Sequence, residues 1–115
     1  MADESELVVL WTTPEKETVE NMLFMYALNA ARRDWWASVR VIVWGASTGL
    51  LVDDEDLQGW IGDFQEAGVT VEACRACAEN FDAVEDLEAL GIDVFYIGER
   101  FTEYLKDDDR YVLPV

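Results

Sequence analysis

Five short runs rich in β-forming residues recur along this chain, and between consecutive runs the apolar residues repeat at helical spacing. That alternation constrains the fold more than any other feature, because strands joined through helices run parallel and a parallel sheet needs cover on both faces. The first run is LVVLW, residues 7–11. Thr13 then reads as a helix N-cap, Pro14 as the first helical residue and Glu15 as a first-turn acid, while Val19, Met22, Leu23, Tyr26, Ala27 and Ala30 form one apolar stripe. The second run, VRVIVWG at 39–45, leads through ASTGLLVDDED to a helix capped near Asp53 or Asp54, with Leu57, Trp60, Ile61 and Phe64 on one face. Gly68 closes that helix, VTVEAC at 69–74 is the third run, and a third helix extends to about Leu90, where Gly91 stops it. IDVFYIG at 92–98 is the fourth run, a last helix carries Phe101, Tyr104 and Leu105, and YVLPV at 111–115 is the fifth, with Pro114 suited to a strand end. The expectation is one domain over residues 1–115 with an α/β fold. Five parallel strands and four helices form a three-layer α/β/α sandwich.

A chain of 115 residues that is 51% hydrophobic has material for one core. Its charge is lopsided: 25 Asp and Glu against 8 Lys and Arg, no His, and a formal net charge of −17. Such a surface repels phosphate backbones and anionic lipid, so neither a nucleic-acid nor a membrane partner is expected. The acidity reads as solubility, a high-salt habitat or a docking face for a basic partner. No window reaches the roughly 18 consecutive apolar residues of a membrane span. The opening MADESE is acidic where a secretory signal is basic and then apolar, and the expected location is the cytoplasm. Without His the chain lacks Ser-His-Asp and Cys-His catalysis. GASTGLL lacks both a Walker lysine and a G-x-G-x-x-G pattern, and no nucleotide or other cofactor is expected.

In open parallel sheets, ligands collect beyond the carboxyl ends of the strands. The segments expected there are Thr12 and Thr13; Gly45, Ala46, Ser47 and Thr48; Cys74 to Cys77 with Arg75 between them; and Gly98, Glu99 and Arg100. Cys74 and Cys77 are the only cysteines, spaced C-x-x-C. A thiol between a strand end and a helix N-terminus faces oriented N–H groups, and Arg75 adds a cation; both favour thiolate. Glu72 and Glu79 oppose it, and free cysteines are often buried as small hydrophobes. A structural zinc site needs four ligands where this pair supplies two sulfurs, so no metal is expected. A thioredoxin-like dithiol sits opposite a cis-proline, and neither Pro14 nor Pro114 is placed for that role. Position and spacing leave a reactive thiol pair and a packed, inert pair both open.

VIVWGAS, AGVTVEACRACAENF, LEALGIDVFYIGERFTEYLKD and the terminal YVLPV, in this order and spacing, resemble the DsrE/DsrF-like sulfur-relay family, which includes the TusD-type tRNA-thiolation carriers. The resemblance covers nearly the whole chain, with Ala46 where the family has a loop proline and Asp82 where it has a glycine after the site. It implies a sulfur carrier or sulfurtransferase. Cys74 would take sulfane sulfur from a donor persulfide, hold it as Cys–S–SH and pass it to an acceptor thiol. Cys77 would attack that persulfide or simply pack. The implied partners are sulfur donor and acceptor proteins or small persulfides. The resemblance also implies a homo-oligomer, a trimer or hexamer, and the Trp35-Trp36 pair suits either a subunit contact or a tryptophan cluster at the sheet edge. Two alternatives stand beside the carrier: a non-catalytic binding or assembly module of the same fold, and a Cys74/Cys77 dithiol redox switch.

Overall fold

The structure, a computed structural model, describes residues 4–115; Met1, Ala2 and Asp3 of the acidic opening lie outside them. The strands are β1 (Glu6–Trp11), β2 (Ser38–Val43), β3 (Thr70–Cys74), β4 (Asp93–Phe95) and β5 (Arg110–Pro114). They form one sheet in the order β4-β3-β2-β1-β5, with every neighbouring pair parallel. β1 and β2 are joined by α1 (Lys16–Thr18), a π-helical segment (Val19–Phe24) and α2 (Met25–Arg32). Then α3 (Ser47–Asp53) and α4 (Glu55–Glu66) lead to β3, α5 (Arg75–Asn80) and α6 (Val84–Ala89) lead to β4, and α7 (Gly98–Lys106) leads to β5.

Strand order dictates where the helices lie. The chain steps from β1 to β4 in one direction, and right-handed crossovers then place every connecting helix on one face. The return from β4 to β5 runs the opposite way, across to the far side of β1, which puts α7 on the other face. Alternation along the strands matches this division. Leu7, Val9, Trp11, Val39, Val41 and Val43 pack with Val19, Leu23, Phe24, Leu57, Ile61 and Phe64. Within that layer the Phe24 ring centroid lies 5.3 Å from Trp11 and 5.1 Å from Phe64. Val8, Ile42 and Cys74 point the other way and meet Ile97 and Tyr104, with Trp44 and Phe101 packed beside them. The three layers are as expected, but unequal: α7 is the helix of the second face.

Several elements differ from the sequence expectation. The first helix begins at Lys16 rather than Pro14, because the N–H groups of Thr12 and Thr13 donate to the Val115 carbonyl at 2.8 and 3.1 Å and hold the chain extended. Thr13 still accepts the Glu15 N–H through Oγ1 at 3.1 Å. ASTGLLV contains α3, and its residue Gly49 is seated against Phe81: a Cβ there would stand 2.7 Å from the ring. The single helix expected up to Leu90 is two, broken at Asp82, whose φ of 53° cannot continue a helix. Its fourth strand is only Asp93–Phe95, since β3, its one neighbour, ends at Cys74 opposite Phe95. Gly98 belongs to α7. Trp35 and Trp36 lie beyond the end of α2, where Trp36 meets Tyr111 at 5.5 Å and donates its indole N–H to the Tyr26 hydroxyl at 3.1 Å. Asp54 is the N-cap of α4, accepting the Leu57 N–H at 3.1 Å, as the sequence suggested.

Candidate functional site

The loops that leave β3 and β4 turn to opposite faces, α5 toward the crowded side and α7 toward the other. Adjacent strands with diverging loops open a crevice between them at their carboxyl ends. Cys74, the last residue of β3, stands there, its side chain on the α7 face because Val71 and Ala73 occupy the other. It is 5% exposed, and it shares its cluster with Ile97, Trp44 and Phe101, the last two rings meeting edge to face at 5.1 Å. Cys77 follows one helical turn later, half-buried, with its sulfur accepting the Gly45 N–H at 3.4 Å. Gly45 has a φ of +75°, a conformation glycine takes without strain, and this aims its N–H across from the end of β2.

Both thiols are free. Burial pushes the Cys74 thiol above the ordinary range; the N–H groups of Cys77 and Ala76 pull it down, and the nearby Cys77 side chain pushes it up again. Desolvation thus outweighs the few N–H groups of α5, the feature that favoured thiolate in the sequence, and the opposing effect of burial prevails. Arg75 does not change this balance through its charge alone, since it pairs with Glu79 at 3.7 Å and stacks over Tyr96 at 6.0 Å.

The other expected cleft residues divide by role. Gly45 joins the cysteines through its N–H. Ala46 precedes α3, its carbonyl accepting the Leu50 N–H at 3.4 Å. Ser47 is fully buried and structural: its hydroxyl donates to the Trp11 carbonyl at 2.6 Å and accepts the Trp44 N–H at 3.1 Å, tying the ends of β1 and β2 together. Thr12 and Thr13 are bound to Val115 at the β1/β5 end of the sheet. Gly98 opens α7, and its carbonyl accepts from the Thr102 hydroxyl at 2.8 Å. Two cavities border this edge, one of about 290 Å³ walled by Phe95, Tyr96, Glu99, Arg100 and Glu103, the other of about 570 Å³ beside Arg75, Asp82 and Glu85. Neither is lined by a cysteine.

Beneath Cys74 on the same face lies an ionic cluster that the sequence reading did not assemble. Glu72, 1% exposed, accepts from the Tyr104 hydroxyl at 2.9 Å, from Arg40 at 2.8 Å and from Arg100 at 3.3 Å. Arg40 and Arg110 both reach Glu6, at 3.0 and 2.9 Å, and both stand over the Tyr104 ring. The available signal was parity: Glu6, Arg40 and Glu72 share the face of Val8, Ile42 and Cys74 in otherwise apolar strands. Among the described residues, no group of three or more Asp, Glu, Cys or His side chains is placed to hold a metal ion. No described helix is long and apolar enough to cross a membrane.

No family model and no curated protein matches this chain. Among solved structures it is similar to a conserved protein of unknown function from Bacteroides thetaiotaomicron, BT1422, with 43% identity and a TM-score of 0.93 over 100% of this chain and 98% of the other. The ychN protein from E. coli shares the fold at 13% identity, with a TM-score of 0.69 over 97% and 99%.

Proposed function

This chain belongs to the same family as the Bacteroides thetaiotaomicron protein BT1422, and from that premise we propose that it carries sulfane sulfur as a persulfide on Cys74 and delivers it to an acceptor thiol. The observation that carries this reading is the position of Cys74, at the end of β3 where the loops of β3 and β4 diverge, with a second sulfur facing it. The resemblance of the segments around it to the DsrE/DsrF-like family supports the same assignment.

The exchange needs no cofactor. Cys74 as thiolate takes the outer sulfur of a persulfide R–S–SH, the S–S bond breaks, RS⁻ leaves, and Cys74–S–SH remains; delivery is the same step with an acceptor thiolate attacking. Rates of such exchange depend on thiolate fraction, leaving group and access. The raised Cys74 thiol lowers the first of these. The apolar surroundings of Cys74, formed by Ile97, Trp44 and Phe101, exclude stray thiols and favour holding sulfur over rapid turnover. Donor and acceptor are persulfide-bearing proteins or small persulfides, and the protein works in a reducing cytoplasm, where its thiols stay available. A homo-oligomer, a trimer or hexamer, is part of this reading; Met22, Met25, Tyr26, Trp35 and Tyr111 form exposed apolar surface suited to subunit contact.

A dithiol switch is the second reading, favoured by the facing sulfurs. The two separate cleanly. Protein charged with polysulfide, desalted and mixed with a small acceptor thiol should give up one sulfur, and Cys74→Ser treated in the same way should retain no sulfur to give up. Delivery at the wild-type rate by a folded Cys74→Ser protein would refute the carrier; a reversible Cys74–Cys77 disulfide, with function lost in either single variant, would favour the switch.

A further inference from the structure

Two sulfurs so close in space differ sharply in what can reach them. Cys74 is 5% exposed inside an apolar cluster, whereas Cys77 is only half-buried and its sulfur takes the Gly45 N–H at 3.4 Å. Exchange at sulfur is an in-line displacement, so attacking, central and leaving sulfurs must align. A bulky donor cannot thread that line to a sulfur packed among Ile97, Trp44 and Phe101. It can present its outer sulfur to Cys77.

We infer that sulfur enters this chain at Cys77 and then moves to Cys74, the accessible thiol loading and the enclosed thiol storing; the inference rests on the carrier function proposed above. In the first step the Cys77 thiolate attacks the outer sulfur of the donor R–S–SH, forming Cys77–S–SH and releasing RS⁻. In the second, Cys74 attacks the outer sulfur of Cys77–S–SH. The old S–S bond breaks, the electron pair returns to Cys77, and the Cys74 proton passes to the adjacent Cys77 sulfur. Products are Cys74–S–SH and Cys77–SH, with no net oxidation or reduction.

Each local feature has a place in that sequence. The Gly45 N–H stabilises negative charge on the Cys77 sulfur both when it attacks and when it is the leaving group. Burial, which raises the Cys74 thiol above its ordinary value, suits a thiol that waits protonated until its neighbour is loaded. Burial then shields the stored persulfide from unwanted acceptors. Gly45 thereby acquires a function as a positioning residue, through its backbone rather than a side chain.

The test is rapid-quench alkylation of full-length protein exposed to a glutathione persulfide donor, with sulfur mapped to each cysteine against time in wild type, Cys77→Ser and Cys74→Ser. In wild type, extra sulfur should appear on Cys77 before Cys74. Cys77→Ser should slow its arrival at Cys74 by about tenfold or more, since access governs exchange. Cys74→Ser should load Cys77 at the wild-type rate and return that sulfur to glutathione thiolate once the persulfide donor is exhausted. Three outcomes would overturn the inference: wild-type loading of Cys74 in Cys77→Ser, sulfur that never leaves Cys77, or an internal disulfide with free sulfide. The order of appearance in wild type decides the matter even if a variant misfolds. Absence of sulfur from both cysteines of the folded wild type defeats the carrier function itself, whereas Cys74 loading independently of Cys77 defeats only this route.

Discussion

A buried carboxylate that satisfies two guanidinium groups and a tyrosine hydroxyl is safe only while its charge remains. Glu72 is that carboxylate, and Arg40, 17% exposed at its side chain, is the partner that suffers if it is neutralised. Breaking one side of a buried pair costs more than the pair contributes, because the surviving charge stays desolvated. Glu72→Gln keeps the shape and should lose about 3 kcal/mol in urea unfolding. Arg100 touches the same carboxylate from a half-exposed position, so Arg100→Gln should cost no more than about 1 kcal/mol. An equal loss in both would show that Arg100, not Arg40, is the main counterion. The thiols follow the same desolvation rule in the opposite direction: Cys74 has no guanidinium partner in its cluster and keeps its proton.

Among the elements, α4 has the clearest local start signal. Asp54 caps it through the Leu57 N–H and is gripped by Lys16 at 2.9 Å, which links the cap to α1. Asp54→Ala should cost about 1 kcal/mol in thermal or urea unfolding, chiefly from the lost cap, because the Lys16 pair is solvent-exposed. No measurable loss would mean that packing of Leu57, Ile61 and Phe64 alone determines where α4 begins. Asp54 was legible because capping chemistry is local. The strands β1, β2 and β3 were legible because their apolar runs are continuous. α3 was not: STGLLV contains glycine and β-branched residues with weak helix preference, and it is helical because Leu51 is fully buried and Gly49 admits the Phe81 ring. The break at Asp82 was equally hidden, because Asp is only one of several residues that accept such a left-handed position and nothing local marks it as the end of a helix. At the site, the cysteine pair and its strand-end position could be read from the chain. Which sulfur is enclosed could not, since that depends on the parity of β3 and on α7 folding back over it.

Over the whole molecule, strand order and charge act together. A single reversal, from β4 across the sheet to β5, both makes the loops of β3 and β4 diverge beside Cys74 and leaves the second face to α7, which the Glu6–Arg40–Glu72 cluster and Arg110 hold in place. That cluster gives the fold an acid-sensitive joint. Burial works to raise the Glu6 carboxyl, but hydrogen bonds from Arg40, Ser38 and Arg110 prevail and bring it below its ordinary value. Its contribution is therefore present above the ordinary carboxylate value and is lost as pH falls through the lowered one. Glu6→Gln should lower stability near neutrality and make the acid limb of the stability curve shallower; an unchanged limb would remove Glu6 as its cause. The central claim concerns sulfur on Cys74, and peptide mapping by mass spectrometry tests it most directly. Wild-type protein exposed to inorganic polysulfide, freed of excess donor and alkylated should carry one additional sulfur on the peptide at Cys74, absent from Cys74→Ser. A folded wild-type protein whose Cys74 remains an unmodified thiol would contradict the account.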